Sequence, residues 1–435
     1  MKTKIILWSV ASILIIGLAA GAFWWLRRPQ IITFSDDAKL TLLSVEYSKR
    51  HAPPTAKASA TPAARAPARG RSFTTTNDTL VAWVREEYDP QQYHYFQFFI
   101  YDQAGTACVQ TSGANYGGNR SNQIVAVRLD AFPRRQGKFV VRVQEQGNGG
   151  QEMSDQKFVI HSPAGGPFAK WVPDALPATK EDDDVSVTLT KLIAGADTPY
   201  QRNQDNPDDA ANKGVQAVFH VERNGKPVSN WQPVSVETTD ATSNHVSGGI
   251  SGNQWQDNDD TVTYQYGLWP DEPAWKIKLE FSQQSDFADN ELWTVQNIPL
   301  QPGRQRDFNT NPRNPQTNAV VAETDLNGIH LKVFPAKQFT DVSPNNYQQG
   351  GLTIQADPSP PAGMRMTLVR LTDDQANDVE NSGYGTSRNN NLTIYRYSLR
   401  NISGLTNLNL TIALHKSRFV EFIAKPEKAA VAAAQ

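Results

Sequence analysis

Trp275-Lys276-Ile277-Lys278-Leu279 alternates large apolar residues with lysines. Successive side chains of an extended chain point to opposite faces, so Trp275, Ile277 and Leu279 share one face and both lysines leave it. This is the pattern of a strand buried on one side only. Phe139-Val140-Val141-Arg142-Val143 repeats it, with Phe139, Val141 and Val143 on one face. Tyr93 to Tyr101 is mostly apolar on both faces and reads as a central strand, because at an edge it would invite aggregation. After residue 30 such short runs recur between Gly, Pro, Asn and Asp, and helical periodicity is scarce.

Working outward, the runs fall into a repeated order of opening strand, middle strand and closing hairpin. Lys39–Tyr47, Val185–Ile193 and Gly328–Phe334 open; Tyr95–Tyr101, Val215–Glu222 and Met364–Leu371 lie in the middle. The expected closing hairpins join Phe139–Val143 to Lys157–Ile160, Trp275–Phe281 to Leu292–Val295, and Leu392–Leu399 to Leu408–His415. The expected fold class is therefore mainly β: an N-terminal transmembrane helix followed by tandem immunoglobulin-like β-sandwich modules. The module boundaries are set at 31–165, 181–300 and 315–426, with 427–435 as a disordered tail. Pro/Gly-rich linkers begin at Ser162 and Pro299. Residues 51–71 are basic, Ala/Pro-rich and free of acids, which predicts a disordered insert. We expect it to be a long loop inside the first module, with Lys39–Tyr47 pairing beyond it.

The chain has 435 residues, enough for two to four domains, and a formal charge of −2. Its one cysteine, Cys108, excludes an internal disulfide framework and a cysteine-rich zinc site, and is expected to be a small buried hydrophobe. The −2 total, less +4 from residues 1–30 and +4 from residues 31–71, leaves −10 on residues 72–435. A near-neutral chain with an acidic body argues against nucleic acid as a partner. Ile5 to Leu26 is uncharged and mostly apolar. As a helix it is about 33 Å long, enough to cross the hydrocarbon core. Trp24 and Trp25 followed by Arg27 and Arg28 form an interfacial pattern. Residues 1–30 thus read as a signal anchor that makes the membrane a partner through residues 5–26. The body is exported to the periplasm or the outside. The alternative is secretion after cleavage at Ala20-Gly21-Ala22.

Five tryptophans lie between Trp231 and Trp293, among tyrosines and acids. Aromatic faces beside carboxylates suit sugars, because the ring covers C–H patches while the acid accepts hydroxyl protons. The candidate ligand-binding residues are Trp255, Tyr264, Tyr266, Trp269 and Asp271. The bland alternative makes Trp275 and Trp293 core residues and Trp269-Pro270 a turn. Glu181–Asp184 and Asp257-Asn258-Asp259-Asp260 are acidic clusters, and Asp257, Asp259 and Asp260 are the candidate metal ligands, with calcium the ion considered. Neither cluster fits an EF-hand loop, since the fifth and sixth positions are Thr261-Val262 and Val185-Ser186. No cofactor is expected otherwise. The seven histidines are scattered, no nucleophile elbow or phosphate loop is present, and no catalytic residue is assigned.

The layout resembles uncharacterised bacterial proteins with one N-terminal membrane segment and a tail of immunoglobulin-like sandwiches. Leu40-Thr41-Leu42-Leu43-Ser44-Val45 and Leu410-Thr411-Ile412-Ala413-Leu414-His415 carry the likeness. It implies an organisation and no activity. The expected function is non-enzymatic: a cell-envelope protein whose modules bind a protein or a glycan. The alternatives are an envelope enzyme acting on polysaccharide and a structural spacer or assembly subunit. An anchored chain stays with membranes through a carbonate wash; a mature chain that begins at Phe23 overturns the anchor.

Overall fold

The computed structural model describes residues 29–54, 72–89, 91, 94–103, 105, 107–109, 113–119, 122–147, 150–197, 213–248, 251–255, 260–265, 268–305, 308, 319–342, 348–389 and 391–428. The anchor segment and most of the 51–71 insert lie outside these residues. Among the described residues no helix is long and apolar enough to cross a membrane. The chain is mainly β, and among the described residues the strands form five sheets.

The first sheet runs Gln30–Thr33, Lys39–His51, Phe73–Glu87, Asn122–Leu129, Gly113–Asn119; the second is built on Phe158–His161, Lys138–Gly147, His94–Tyr101 and Ala107–Val109. Their apolar faces meet: Leu40, Leu80 and Val127 from one sheet share a core cluster with Ile100, Phe139 and Val143 from the other. His51 pairs with Phe73. Lys39–His51 and Phe73–Glu87 thus pair as antiparallel neighbours in one sheet. Lys138–Gly147 pairs with Phe158–His161 as expected, and His94–Tyr101 is interior, between two neighbours.

The third sheet is carried by Val185–Asp197 and Lys213–Arg223, and the fourth by Trp231–Asp240 and Trp275–Gln283. Trp275, Ile277 and Leu279 are buried while Lys278 is exposed, as period two requires. The apolar cluster of the first two sheets continues into these. A buried polar knot sits at the junction. Asn244 Nδ2 donates to Phe132 O at 2.9 Å, and its Oδ1 accepts from Phe132 N at 3.1 Å. Nδ2 also donates to the Asp240 carboxylate at 2.8 Å. With its partners supplied from both sides, the amide orients the two units without leaving a buried group unmet.

The fifth sheet has nine strands and its own core, including Leu331, Ile354, Leu399, Leu410 and Ile412. Here the structure corrects the strand pairing. Leu292–Gly303 does not close a hairpin with Trp275–Gln283. It pairs with Asn407–Lys416 in the fifth sheet. Leu392–Arg400 pairs with Gly350–Asp357 and Glu380–Asn389 rather than with Asn407–Lys416. Arg418–Ala424, expected in the third module, returns to the fourth sheet and pairs with Trp275–Gln283. Glu427–Lys428, expected to be frayed, lies parallel to Val185–Asp197 in the third sheet. The fifth sheet is thus inserted in the chain between two strands of the fourth.

The returning strand is clasped by the acidic segment at 181–184. Asp184 Oδ1 accepts from Arg418 Nη2 at 2.7 Å, and Asp184 Oδ2 accepts from Arg223 Nε at 2.5 Å. Asp183 adds a bond to Arg418, and Asp182 accepts from the Phe419 amide at 2.7 Å. Both guanidinium groups lie over the buried Trp231 ring, at 6.0 Å and 5.5 Å. Asp183 and Asp184 are thus engaged by arginine and Asp182 by a backbone amide. Burial raises the Asp184 pKa, but the hydrogen bonds and charges of Arg418 and Arg223 outweigh it and hold the carboxyl below its usual range. A depressed carboxylate contributes stability above its unfolded pKa and loses it as pH falls through the folded one. Asp184→Asn should cost about 2 kcal/mol at pH 7, less than the loss of a fully buried pair because the site is partly exposed. In urea titrations the gap to wild type should close below about pH 4; a gap that stays constant with pH removes the clasp from the account.

Candidate functional site

The insertion places two faces against each other. From the fourth sheet come Glu280 of Trp275–Gln283 and Phe419 of Arg418–Ala424; from the fifth come Arg365 of Met364–Asp373, Tyr384 of Glu380–Asn389 and Tyr395 of Leu392–Arg400. They line a cleft of about 450 Å³. Its floor is an ion pair. Arg365 Nε donates to Glu280 Oε1 at 2.6 Å and Nη2 to Oε2 at 2.5 Å, the two-pronged geometry in which guanidinium matches carboxylate. Ser235 Oγ donates to the same carboxylate at 3.0 Å. Burial raises the Glu280 pKa, and the bonds from Arg365, Ser417 and Ser235 more than reverse it, so the group stays ionised below the usual range.

The wall is aromatic. Tyr384 stands on a strand paired on one side only and is 56% exposed. Its ring centroid lies 5.4 Å from Tyr397 and 6.3 Å from Tyr395. Tyr384 and Tyr397 are directly opposite in the register, and opposed side chains share a face. Burial, then the neighbouring phenols, pushes the Tyr397 pKa far up; burial, then Tyr384, does so for Tyr395. Both phenols therefore stay neutral at any physiological pH; Tyr395 lines the cleft, and Tyr397 is buried behind Tyr384. Lys278, Arg388 and Glu237 complete the charged lining.

A glycosidase needs a carboxyl group that keeps its proton near neutrality. Glu280 is locked ionised by Arg365 and does not meet that need.

The residues singled out in the sequence lie elsewhere. Trp269 is 3% exposed and Trp275 is fully buried, with Trp275 Nε1 donating to Trp269 O at 3.3 Å. Trp231 is buried and Trp293 packs partly on the fifth-sheet core. The tryptophan series is thus mainly core, and Trp269 offers no ring face to a sugar. Asp271 is exposed but pairs with Lys428 at 2.7 Å. Trp255, Asp260 and Tyr264 sit on the strands Ser251–Trp255 and Asp260–Gln265, with side chains outside the described residues. Tyr266, Asp257 and Asp259 lie outside the described residues altogether, and so does the side chain of Cys108. Sequence reasoning missed Tyr384 because Glu380–Asn389 reads ENSGYGTSRN, a composition of turns. The one available signal was an isolated tyrosine between two glycines.

Gly363 shapes the cleft's rim. It has φ +82°, and a Cβ there would come within 2.8 Å of the Phe419 ring. Gly363→Ala therefore combines left-handed backbone strain with a clash and should cost about 2 kcal/mol in chemical denaturation. Replacing Phe419 by Leu in the same chain should recover the part due to the clash; no recovery would assign the whole cost to φ.

No protein-family model matches the chain, and no curated protein matches it.

Proposed function

We propose that the chain is a non-enzymatic cell-envelope protein that presents tandem immunoglobulin-like β-sandwich modules and binds a glycan in the cleft between its second and third modules. The observation that carries this reading is the exposed Tyr384 ring backed by Tyr395 and Tyr397 above the Arg365–Glu280 pair. An aromatic face covers the C–H patches of a pyranose, while neutral phenols and an ionised carboxylate exchange hydrogen bonds with its hydroxyls. Once Glu280 and Arg365 cancel, Lys278 and Arg388 stand against Glu237. That balance favours a sugar chain bearing acidic groups, and salt should weaken its binding. The anchor at residues 5–26 would hold the body at the membrane surface, exported from the cytoplasm.

A protein partner is the second reading, and one observation favours it. Among the described residues Glu380–Asn389 has one strand neighbour, Leu392–Arg400, and so stands at an edge of its sheet, where an extended segment can add.

Glycan arrays probed with residues 29–435 decide between them. The glycan reading expects retention of acidic oligosaccharides, lowered about tenfold by Tyr384→Ala, the worth of roughly one lost ring contact. Because Tyr384 is exposed, the variant should keep the wild-type melting temperature. Binding that ignores Tyr384→Ala, or an array with no retained sugar, overturns it.

A further inference from the structure

At the opposite part of the molecule, the first and second sheets close their shared core around ionisable groups that the cleft does not use. Asp36 lies on the turn between Gln30–Thr33 and Lys39–His51, His94 opens the strand His94–Tyr101, and Glu145 lies on Lys138–Gly147. Phe96 is directly opposite Glu145, so His94, two residues before Phe96, projects to the same face as Glu145. His94 Nδ1 hydrogen-bonds to Glu145 Oε1 and lies 3.4 Å from Asp36 Oδ2. One donor atom from each of the three side chains falls within 4.8 Å of the other two.

The burial is severe and the charge unbalanced. The His94 and Glu145 side chains are 1% and 5% exposed. A second carboxylate, Glu86, is buried nearby and takes its hydrogen bond from the neutral Gln123 amide. Tyr88 packs on the imidazole at 4.6 Å and Phe96 stacks on it at 6.1 Å, so its walls are aromatic. Among the described residues no lysine or arginine pairs with Asp36, Glu86 or Glu145. Uncompensated charge of this kind is expensive in an apolar setting unless a cation shares it. His94 Nε2 is also buried without a partner, so the ring is not placed there to complete a structural hydrogen-bond chain.

We propose that Asp36, His94 and Glu145 form a mononuclear site for a divalent first-row transition-metal ion, with zinc as its simplest occupant. One imidazole nitrogen and two carboxylate oxygens are a donor set of intermediate hardness, which suits zinc or manganese better than calcium. Donor atoms around a tetrahedral zinc are roughly 3.3 Å apart, within the spread that these three already show. On binding, the ion takes the Nδ1 lone pair, and the neutral imidazole carries its one proton on Nε2. A dication with two carboxylates and a neutral imidazole then has no net charge. The Asp36 side chain is 32% exposed, so the ion enters from the turn, and that side stays open to a water or an external ligand.

The test is equilibrium dialysis of the chelator-treated full-length chain against zinc, with cobalt as a spectroscopic substitute. The expected result is one ion per chain and a visible cobalt spectrum. Asp36→Asn sits on an exposed turn and should fold normally while binding at least about tenfold more weakly. His94→Gln should abolish the cobalt spectrum. A chain carrying Asp257→Asn, Asp259→Asn and Asp260→Asn together should bind as wild type does, which separates this site from the acidic segment near Trp255. Zinc binding that is absent, or that is unchanged in both Asp36→Asn and His94→Gln, makes the three side chains an ion pair only and overturns the proposal.

Discussion

The return of Arg418–Ala424 to the fourth sheet is fixed by Asp184, held between Arg223 and Arg418. The two partners of the Asp184–Arg418 bond are 234 residues apart in the chain, and the whole fifth sheet lies between them. A contact across such a separation costs loop-closure entropy, which grows only as the logarithm of loop length. The inserted sheet also builds its own core, so its ordering is not charged to that one contact. The clasp then has only to fix the register of Arg418–Ala424 on Trp275–Gln283. Asp182 does this directly through the Phe419 amide, and Asp183 and Asp184 do it through the side chain one residue earlier. The fourth sheet is completed only when that strand arrives.

The cleft inherits its form from the same closure. Phe419, the residue whose amide Asp182 holds, is the one that meets Gly363 on the facing rim. Ser417 N donates to Gly363 O at 2.7 Å just before the strand begins. Arg365, two residues past Gly363, reaches back to Glu280 on the neighbouring strand. A ligand between the two faces therefore meets walls already positioned by covalent links, a backbone bond and a two-pronged ion pair. Preorganisation of this kind lowers the entropic cost of binding without adding a contact to the ligand.

The sequence was informative about faces and poor about partners, for one physical reason. Period two records which side of a strand meets a core, and it is satisfied wherever that core is. The alternation at 275–279 and at 139–143 therefore survives intact in the structure. Nothing in the alternation of Trp275–Phe281 says that its neighbour is Arg418–Ala424 and not Leu292–Val295. Proximity in sequence suggested the nearer strand, and the insertion defeats that inference. The tryptophans failed as site markers for a related reason: a large ring is as useful for filling a core as for meeting a sugar, and composition does not separate the two. Tyr384 was hidden in the opposite way, inside a Gly/Asn/Ser-rich run that happens to be a strand.

The acidic residues show most clearly what local reading omits. Glu181–Asp184 concentrates negative charge in four consecutive positions, which looks like a cation site until the third dimension supplies two arginines. Asp36, His94 and Glu145 are dispersed over more than a hundred residues and look like nothing in sequence, yet the two sheets bring one donor atom of each together. Charge density along the chain measures local repulsion. What selects a dication is the charge left after every nearby guanidinium and ammonium group has been assigned. By that measure two arginines take up half the charge of the dense segment, while among the described residues no lysine or arginine pairs with the dispersed trio. The second sets a nearly buried imidazole and carboxylate against a turn that solvent still reaches, which is the arrangement an entering cation needs.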